Sequence, residues 1–196
     1  MPVKPKILAF AGSAREGSFN KKLIRVAAKA AEDAGAQVTL IDLKDFPMPL
    51  MNEDLEAKEG MPEYAKKIKE LMKSHDGFLI STPEYNSSMP PLLKNTIDWA
   101  SRKESKEETP LSAYKDKIAG LMSASPGALG GLRSLLTLRG ILSHVGVLVI
   151  PPQHALGKAN EAFEADGTLK DPKQRERIEQ ICKELVSVIQ RLKGPR

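Results

Sequence analysis

The 196-residue sequence predicts an α/β fold in which five parallel strands form a doubly wound sheet with helices on both faces. Three observations support this prediction. Short, continuously apolar runs recur along the chain, as is typical of strands that are buried on both faces of a parallel sheet. Segments with apolar residues at helical spacing lie between these runs. Loops rich in glycine, serine or proline follow several of them.

Five apolar runs are predicted as strands, at residues 7–11, 38–41, 78–82, 118–122 and 147–150. The fifth is expected to end at Pro151-Pro152, because proline cannot donate to a strand ladder. Helices are predicted over residues 21–34, from Pro62 through Met72, over 92–99, over 132–142 and over 178–192. Residues 46–60 are predicted as a loop, and the polar run 101–110 as another loop rather than a linker between domains.

Alternation of strands and helices implies right-handed crossovers and hence a parallel sheet. Five such units favour a flavodoxin-like sheet with strand order 2-1-3-4-5, in which ligands bind at the carboxyl ends of the strands beside the point where the order reverses. The loops after strands one, three and four carry the most unusual sequences, and those strands are neighbours in this order. All residues, 1–196, are expected to form one domain around that sheet.

Composition excludes several classes of protein. The net charge is +5, but basic residues stand beside acidic ones instead of forming a stripe, so we expect no nucleic-acid partner and only mild attraction for small anions. No apolar run approaches the roughly 20 residues that span a membrane. The single cysteine and the scattered histidines indicate neither disulfides nor a metal site. Residues 1–6 lack the features of a signal peptide, so we expect a cytoplasmic location.

The first of the three loops, residues 12–20, has the sequence Gly-Ser-Ala-Arg-Glu-Gly-Ser-Phe-Asn and leads into a helix. The start of a helix attracts anions, because its first N–H groups lack partners and its dipole is positive there. Ser13, Ser18 and Asn20 add donors, and Arg15 adds a charge. The spacing matches neither the dinucleotide fingerprint nor the P-loop, which favours one terminal phosphate without magnesium. The alternative is an ordinary turn with Ser18 as the N-cap.

The second loop, residues 83–90, places Glu-Tyr-Asn-Ser-Ser-Met between two prolines. Its backbone groups, the Tyr85 ring and the Asn86 amide are suited to the edge and face of a flat heterocycle. Alternatively, Asn86 is a turn residue and Tyr85 a core aromatic. The third loop, residues 123–131, offers hydroxyls and glycines that permit close backbone approach, with Arg133 following; a plain strand-to-helix turn is equally compatible with it.

These three loops, together with the Leu-Lys-Asn-Thr-Ile-Asp-Trp run at residues 93–99, resemble the NADPH-dependent FMN reductase family of flavodoxin-like proteins in sequence and in order. The resemblance covers about residues 6–151. It implies that FMN is the cofactor. It assigns the FMN phosphate to Ser13, Arg15, Ser18 and Asn20, the ribityl chain and the ring to Pro83, Glu84, Tyr85, Asn86 and Ser87, and the other side of the ring to Ser123, Ser125 and Gly127. The alternative for Arg15 is a contact with the phosphate of the nicotinamide nucleotide. Ser87 and Pro91 depart from the family pattern.

The same resemblance implies an oxidoreductase that passes hydride from NADPH or NADH to FMN and on to a small acceptor, with no catalytic side chain. The acceptor would be a quinone, an azo compound, free flavin or a metal oxyanion such as chromate. A homodimer or homotetramer is implied, with Ile97 and Trp99 either in its interface or in the core. The alternatives are a flavodoxin-type electron carrier, which is disfavoured because such carriers are strongly acidic, and a receiver-like regulatory module, which would need an acidic cluster.

Overall fold

The computed structural model describes residues 4–194, and its sheet has the strand order β2-β1-β3-β4-β5 with every neighbouring pair parallel. The strands are β1 (Lys6–Ala11), β2 (Gln37–Asp42), β3 (Gly77–Ser81), β4 (Ile118–Ala124) and β5 (Leu148–Leu156). The predicted class and strand order are confirmed. Residues 1–3, which belong to the segment used for the signal-peptide prediction, lie outside the described residues.

Six α-helices cover the two faces of this sheet: α1 (Phe19–Asp33), α2 (Glu53–Glu59), α3 (Glu63–Ser74), α4 (Pro91–Ser101), α5 (Leu132–His144) and α6 (Pro172–Lys193). Helices α1 and α6 pack on one face around a core cluster that includes Ile7, Ala9 and Leu79. Helices α3, α4 and α5 pack on the other face around Leu8 and Phe10. Because alternate residues of a strand point to opposite faces, each central strand contributes to both clusters. No helix within residues 4–194 is both long and apolar enough to cross a membrane.

Helix α2 lies inside the segment that the sequence analysis predicted as a loop, so that prediction is wrong at residues 53–59. Asn52 caps this helix, since its side-chain oxygen accepts from the N–H of Asp54 at 2.8 Å and of Leu55 at 3.3 Å. Acidic residues in its first turn suit the helix dipole. The helix buries no residue and therefore has no apolar stripe, which is the signal on which the prediction relied.

Strand β5 does not end at Pro151-Pro152, as was predicted, but continues to Leu156. It is an edge strand, and its register shifts so that Ala119 pairs with Val149 whereas Leu121 pairs with Gln153. The two prolines occupy this irregularity, where their missing N–H groups remove no ladder hydrogen bond. The guanidinium of Arg139 donates to the carbonyls of Ile150 at 2.9 Å and Val149 at 3.2 Å, which satisfies backbone groups that the shift leaves unpaired.

The Leu-Lys-Asn-Thr-Ile-Asp-Trp run forms most of α4, and two of its residues hold the segment that precedes α2. The carbonyl of Pro49 accepts from the Asn95 amide at 2.9 Å and from the Trp99 indole at 2.8 Å. The side-chain oxygen of Asn95 accepts from the N–H of Met51 at 2.8 Å. Trp99 and Ile97 are buried within this single chain, which favours the core reading of both over a subunit contact.

A buried ion pair fixes the polar loop after α4. The ammonium of Lys69, which is 1% exposed, lies 2.5 Å from a carboxylate oxygen of Glu108 and donates to the Arg102 carbonyl at 2.7 Å. Burial by itself would raise the pKa of Glu108, but hydrogen bonds from Lys69 and Ser112 outweigh it and lower the pKa to about 2. Glu108 is therefore ionised in the folded protein at neutral pH.

Replacing Glu108→Gln is expected to lower the free energy of unfolding at pH 7 by about 2 kcal/mol, because it removes the nearer of the two counter-ions of the buried Lys69 ammonium and leaves only Glu104, whose carboxylate lies 3.6 Å away. The folded pKa of Glu108 lies below the ordinary value of 4.5, so its contribution is complete above pH 4.5 and is lost as the pH falls toward 2. Urea titrations across that range should show the two proteins converging in acid. The exposed neighbour variant Glu107→Gln is the control, and a pH-independent difference for Glu108→Gln would contradict the prediction.

Candidate active site

Three loops meet at the carboxyl edge of the sheet: the first loop (residues 12–18), the second loop (82–90) and the third loop (125–131). They follow β1, β3 and β4, which are adjacent strands. Backbone hydrogen bonds attach the first residues of two loops to the neighbouring strands. The N–H of Gly12 donates to the Ser81 carbonyl of β3, and the N–H of Thr82 donates to the Met122 carbonyl of β4, each at 2.9 Å. The convergence of these loops, which the sequence predicted, is therefore a property of the described fold.

Asn20 joins the start of α1 to the two central strands. Its side-chain oxygen accepts from the Ser81 hydroxyl and from the N–H of Ala124, both at 2.9 Å, and its amide donates to the Ala124 carbonyl at 2.9 Å. The residue is 2% exposed. Its acceptor capacity is thus filled within the protein, and only one amide hydrogen remains. This geometry gives Asn20 a place in building the site, and the phosphate contact predicted for it stays a prediction.

The first loop, in contrast, holds donors that the protein leaves unused. Ser18 is the N-cap residue of α1 but makes no capping bond through its side chain. Among residues 4–194 the hydroxyl of Ser13 likewise has no hydrogen-bond partner, although the residue is buried. Arg15 has no acidic partner in this range, and its guanidinium lies 5.4 Å from the centre of the Phe19 ring. Hydroxyls, a guanidinium and the first N–H groups of a helix together form a site for an anion.

The second loop contains a two-residue hairpin turn. Tyr85 and Ser88 exchange backbone hydrogen bonds of 2.8 and 3.0 Å, and between them Asn86 and Ser87 have φ angles of 50° and 66°. Two successive positive φ angles define a type I′ turn, which asparagine tolerates better than most residues. No described residue accepts from the N–H groups of Asn86 or Ser87. The Tyr85 ring is 50% exposed and is not in the core.

Glu84 links the second loop to the third. Its carboxylate accepts from the backbone N–H of Arg133 at 3.0 Å and from the Arg133 guanidinium at 3.3 Å. The N-cap position of α5 is Gly131, which has no side chain to accept from that helix, so Glu84 supplies the missing acceptor. A carboxylate at this end also suits the helix dipole. Glu84 therefore joins the second loop to the start of α5, and the contact with a ligand that was predicted for it stays a prediction.

In the third loop, buried side chains fix the backbone, and other residues are exposed to solvent. The hydroxyl of Ser123 donates to the Gly130 carbonyl at 2.7 Å and the residue is fully buried, so this side chain shapes the third loop, and the ligand contact predicted for Ser123 stays a prediction. Gly131 has a φ of 90°, and a Cβ there would lie 2.9 Å from that of Ser123, so this position requires glycine. Ser125 and Gly127 lie nearer the surface, with the Ser125 hydroxyl accepting from the Gly127 N–H at 3.3 Å.

Two ion pairs that were not predicted from the sequence join α1 and the first loop to the end of β2. The buried ammonium of Lys21 lies 2.5 Å from a carboxylate oxygen of Asp42, and the exposed Lys44 pairs with Glu16 at 2.8 Å. Burial by itself would raise the pKa of Asp42, but hydrogen bonds from Lys21 and from the backbone N–H of Lys44 outweigh it and lower the pKa. A lysine in the first turn of a helix, where the dipole disfavours cations, was the available signal.

Cavity volume does not identify this site. A cavity of about 730 Å³ lies between α1, α6 and the segment 165–169, away from the three loops. A smaller cavity of about 240 Å³ is lined by Lys21, Asp42 and their neighbours on α1 and β2. The candidate active site is identified instead by the convergence of donors from the first and second loops at the carboxyl ends of adjacent strands, beside the start of α1.

Comparisons with known proteins identify the family of this chain. The family model described as NADPH-dependent FMN reductase matches residues 5–161. An NAD(P)H-dependent FMN reductase of Pseudomonas aeruginosa is 36% identical over 190 residues, which cover 96% of this chain and 97% of the relative. An NADPH:quinone oxidoreductase of Arabidopsis thaliana is 33% identical, with coverages of 98% and 96%. A solved structure of the flavoenzyme NAD(P)H:(acceptor) oxidoreductase FerB from Paracoccus denitrificans is 31% identical, with a TM-score of 0.81 and coverages of 95% and 98%.

Proposed function

Because this chain belongs to the NADPH-dependent FMN reductase family, and is an NAD(P)H-dependent oxidoreductase with FMN as cofactor, we propose that its three loops hold the FMN and present it to a quinone. The observation that carries the proposal is the set of unused donors at the start of α1, namely Ser13, Ser18, Arg15 and the N–H groups of the first turn. An anion satisfies all of them at once.

In this proposal the FMN phosphate binds to the first loop. Ser13 and Ser18 donate hydroxyl hydrogen bonds to it, and Arg15 supplies a charge and a planar pair of donors. Asn20 keeps the helix start in register with β3 and β4, and so acts on the phosphate through the backbone. These roles fit the chemistry of a single phosphate, since the loop offers donors without the lysine of a P-loop, and its one acidic residue, Glu16, pairs with Lys44.

The second and third loops hold the flavin ring in the same proposal. The N–H groups of Asn86 and Ser87 donate to the polar edge of the ring, and Pro83 keeps the loop rigid. Tyr85 offers an aromatic surface at the rim, while Ser125 and Gly127 approach from the opposite side. When bound, FMN supplies the hydride-accepting chemistry. The protein orients it, and the backbone donors favour the negative charge that develops on the ring edge.

A quinone is the acceptor class that we propose. The rim of the site carries the exposed Tyr85 ring and no described cluster of acidic side chains, which suits a flat, uncharged molecule. Similar proteins from plants and bacteria carry the names NADPH:quinone oxidoreductase and quinone reductase. A flavodoxin-type electron carrier would lack turnover of its own, so kinetics separate the two possibilities.

Two further properties belong to this proposal. We propose one domain over residues 1–196, which is supported by the packing of α1, α3, α4, α5 and α6 on one sheet. We also propose that the protein works in the cytoplasm, where NAD(P)H is available and where its single cysteine, Cys182, stays reduced. Recovery of the protein mainly outside the cytosolic fraction of its own cells would contradict the second statement.

We propose, in addition, that the protein is a homodimer or homotetramer. Leu129, Leu132 and Leu136 form an apolar stripe along the third loop and α5, and they are 50%, 39% and 59% exposed. Contiguous exposed apolar residues are typical of a protein interface. The stripe lies at the rim of the candidate active site, so a second copy seated there would also narrow access to the flavin.

The variant Ser18→Ala is expected to weaken FMN binding by about tenfold, because it removes one hydrogen bond to a charged group. Riboflavin, which lacks the phosphate, should bind the variant and the wild-type protein equally. Flavin fluorescence titrations of the flavin-free protein measure both affinities. Ser143→Ala, an exposed serine on α5, is the control, and an equal loss for FMN and riboflavin would contradict the phosphate assignment.

Steady-state oxidation of NADPH by the FMN-loaded protein is expected to proceed with 1,4-benzoquinone as acceptor. Its kcat/KM should exceed the values for chromate and for a sulfonated azo dye by about tenfold or more, because both of these are anions whereas the quinone is flat and neutral. Protein stripped of FMN is the control and should show no turnover. Absence of turnover with quinone alongside turnover with another acceptor would exclude the acceptor class, and absence with every acceptor would favour the carrier.

Leu136→Lys is expected to shift the protein toward monomer in sedimentation experiments, because a charge in the apolar stripe must be desolvated when two copies associate. The matched control is Leu192→Lys on α6, where the leucine is 64% exposed and lies apart from the stripe. A wild-type protein that is monomeric at assay concentrations would contradict the oligomer, and equal dissociation by both variants would exclude this stripe as the interface.

A further inference from the structure

Lys21 occupies a position that is costly for a cation. It is the third residue of α1, in a first turn without any acidic residue, and it is 6% exposed. The positive end of the helix dipole disfavours an ammonium there, and burial of a charge costs free energy unless the charge is well paired. Its hydrogen bonds show which groups the buried ammonium holds in place.

The ammonium of Lys21 reaches back across the first loop. It donates to the carbonyl of Ala14 at 3.2 Å and to a carboxylate oxygen of Asp42 at 2.5 Å. Asp42 is the last residue of β2, and its other oxygen accepts from the backbone N–H of Lys44 at 3.0 Å. The carboxylate is therefore oriented by the backbone, and it orients the lysine in turn.

This contact determines which way one peptide group of the first loop faces. A trans peptide is planar, so the carbonyl of Ala14 and the N–H of Arg15 point in opposite directions. The hydrogen bond to Lys21 holds the Ala14 carbonyl on the side of the loop that faces the Lys21 ammonium, so the N–H of Arg15 points to the opposite side. No described residue accepts from this N–H. The second tether of the loop, between Lys44 and Glu16, is exposed and contributes little.

We propose that Lys21 is a positioning residue of the FMN site, which holds the Ala14 carbonyl so that the Arg15 N–H faces the FMN phosphate, with Asp42 as its counter-ion. This inference rests on the phosphate site proposed above. In this inference neither Lys21 nor Asp42 touches the nucleotide. Both affect the binding of the phosphate and not of the flavin ring, because the peptide that they orient lies in the first loop.

The test compares FMN with riboflavin, using fluorescence titrations of the full-length protein freed of flavin. Lys21→Met should raise the Kd for FMN by about tenfold, the effect of one lost hydrogen bond to a charged group, and leave the Kd for riboflavin unchanged. Lys29→Met is the matched control, since Lys29 lies on the same helix and pairs with Asp33 in an exposed position. An unchanged ratio of the two Kd values in Lys21→Met would overturn the inference.

The variant Asp42→Asn separates positioning from simple charge attraction. Attraction predicts tighter FMN binding, because a negative charge near the phosphate is removed. Positioning predicts weaker FMN binding, because Lys21 loses the carboxylate that orients it. Tighter binding would overturn the inference.

The double variant Lys21→Met/Asp42→Leu protects the test against a loss of folding. Removing both partners of a buried ion pair leaves no uncompensated charge, so this protein should fold even if Lys21→Met does not. It should still discriminate poorly between FMN and riboflavin, and wild-type discrimination would overturn the inference. If Ser18→Ala loses discrimination while every Lys21 variant keeps it, the phosphate site stands and only the positioning role fails. If the wild-type protein itself does not distinguish FMN from riboflavin, both proposals fail.

Discussion

The hydrogen bonds of one buried side chain, that of Asn20, set the geometry on which the rest of the site depends. An asparagine carries an acceptor and a donor a short distance apart, and here both meet the backbone of Ala124 while the acceptor also receives the Ser81 hydroxyl. The start of α1 is thereby locked against β3 and β4. Together with the hydrogen bond from the Gly12 N–H to the Ser81 carbonyl, this lock gives the donors of the first loop a defined position relative to the second and third loops.

The polar residues around the site fall into two groups with different physical roles. Asn20, Lys21, Glu84 and Ser123 have their hydrogen bonds satisfied inside the protein and are largely buried, so they build the loops. The donors of Ser13, Ser18, Arg15 and the hairpin tip are unsatisfied among the described residues. Donors that have no partner within the described protein and remain open to solvent are available to a ligand, and these lie together at one edge of the sheet. This contrast supports a preorganised anion site.

Local signals in the sequence account for the correct predictions and for the wrong ones. The strand order followed from apolar runs and from the handedness of parallel crossovers, which depend on backbone sterics rather than on particular partners. Helix α2 was missed because it buries nothing and so has no apolar periodicity, and only the Asn52 cap indicates it. The last strand was predicted too short because Pro151 and Pro152 usually end strands. At a sheet edge with a register shift, and with Arg139 satisfying the nearby carbonyls, they do not.

The sequence by itself determined the α/β architecture and the placement of the three loops after adjacent strands, because periodicity, turn residues and strand topology are encoded over short stretches of chain. Only the tertiary structure decided which polar loop residues face outward. Asn20 bonds to a residue 104 positions away and Glu84 to one 49 positions away, while Ser123 turns its hydroxyl inward. Whether a hydroxyl, amide or carboxylate remains free for a ligand depends on partners that the folded chain brings together, and no local pattern records them.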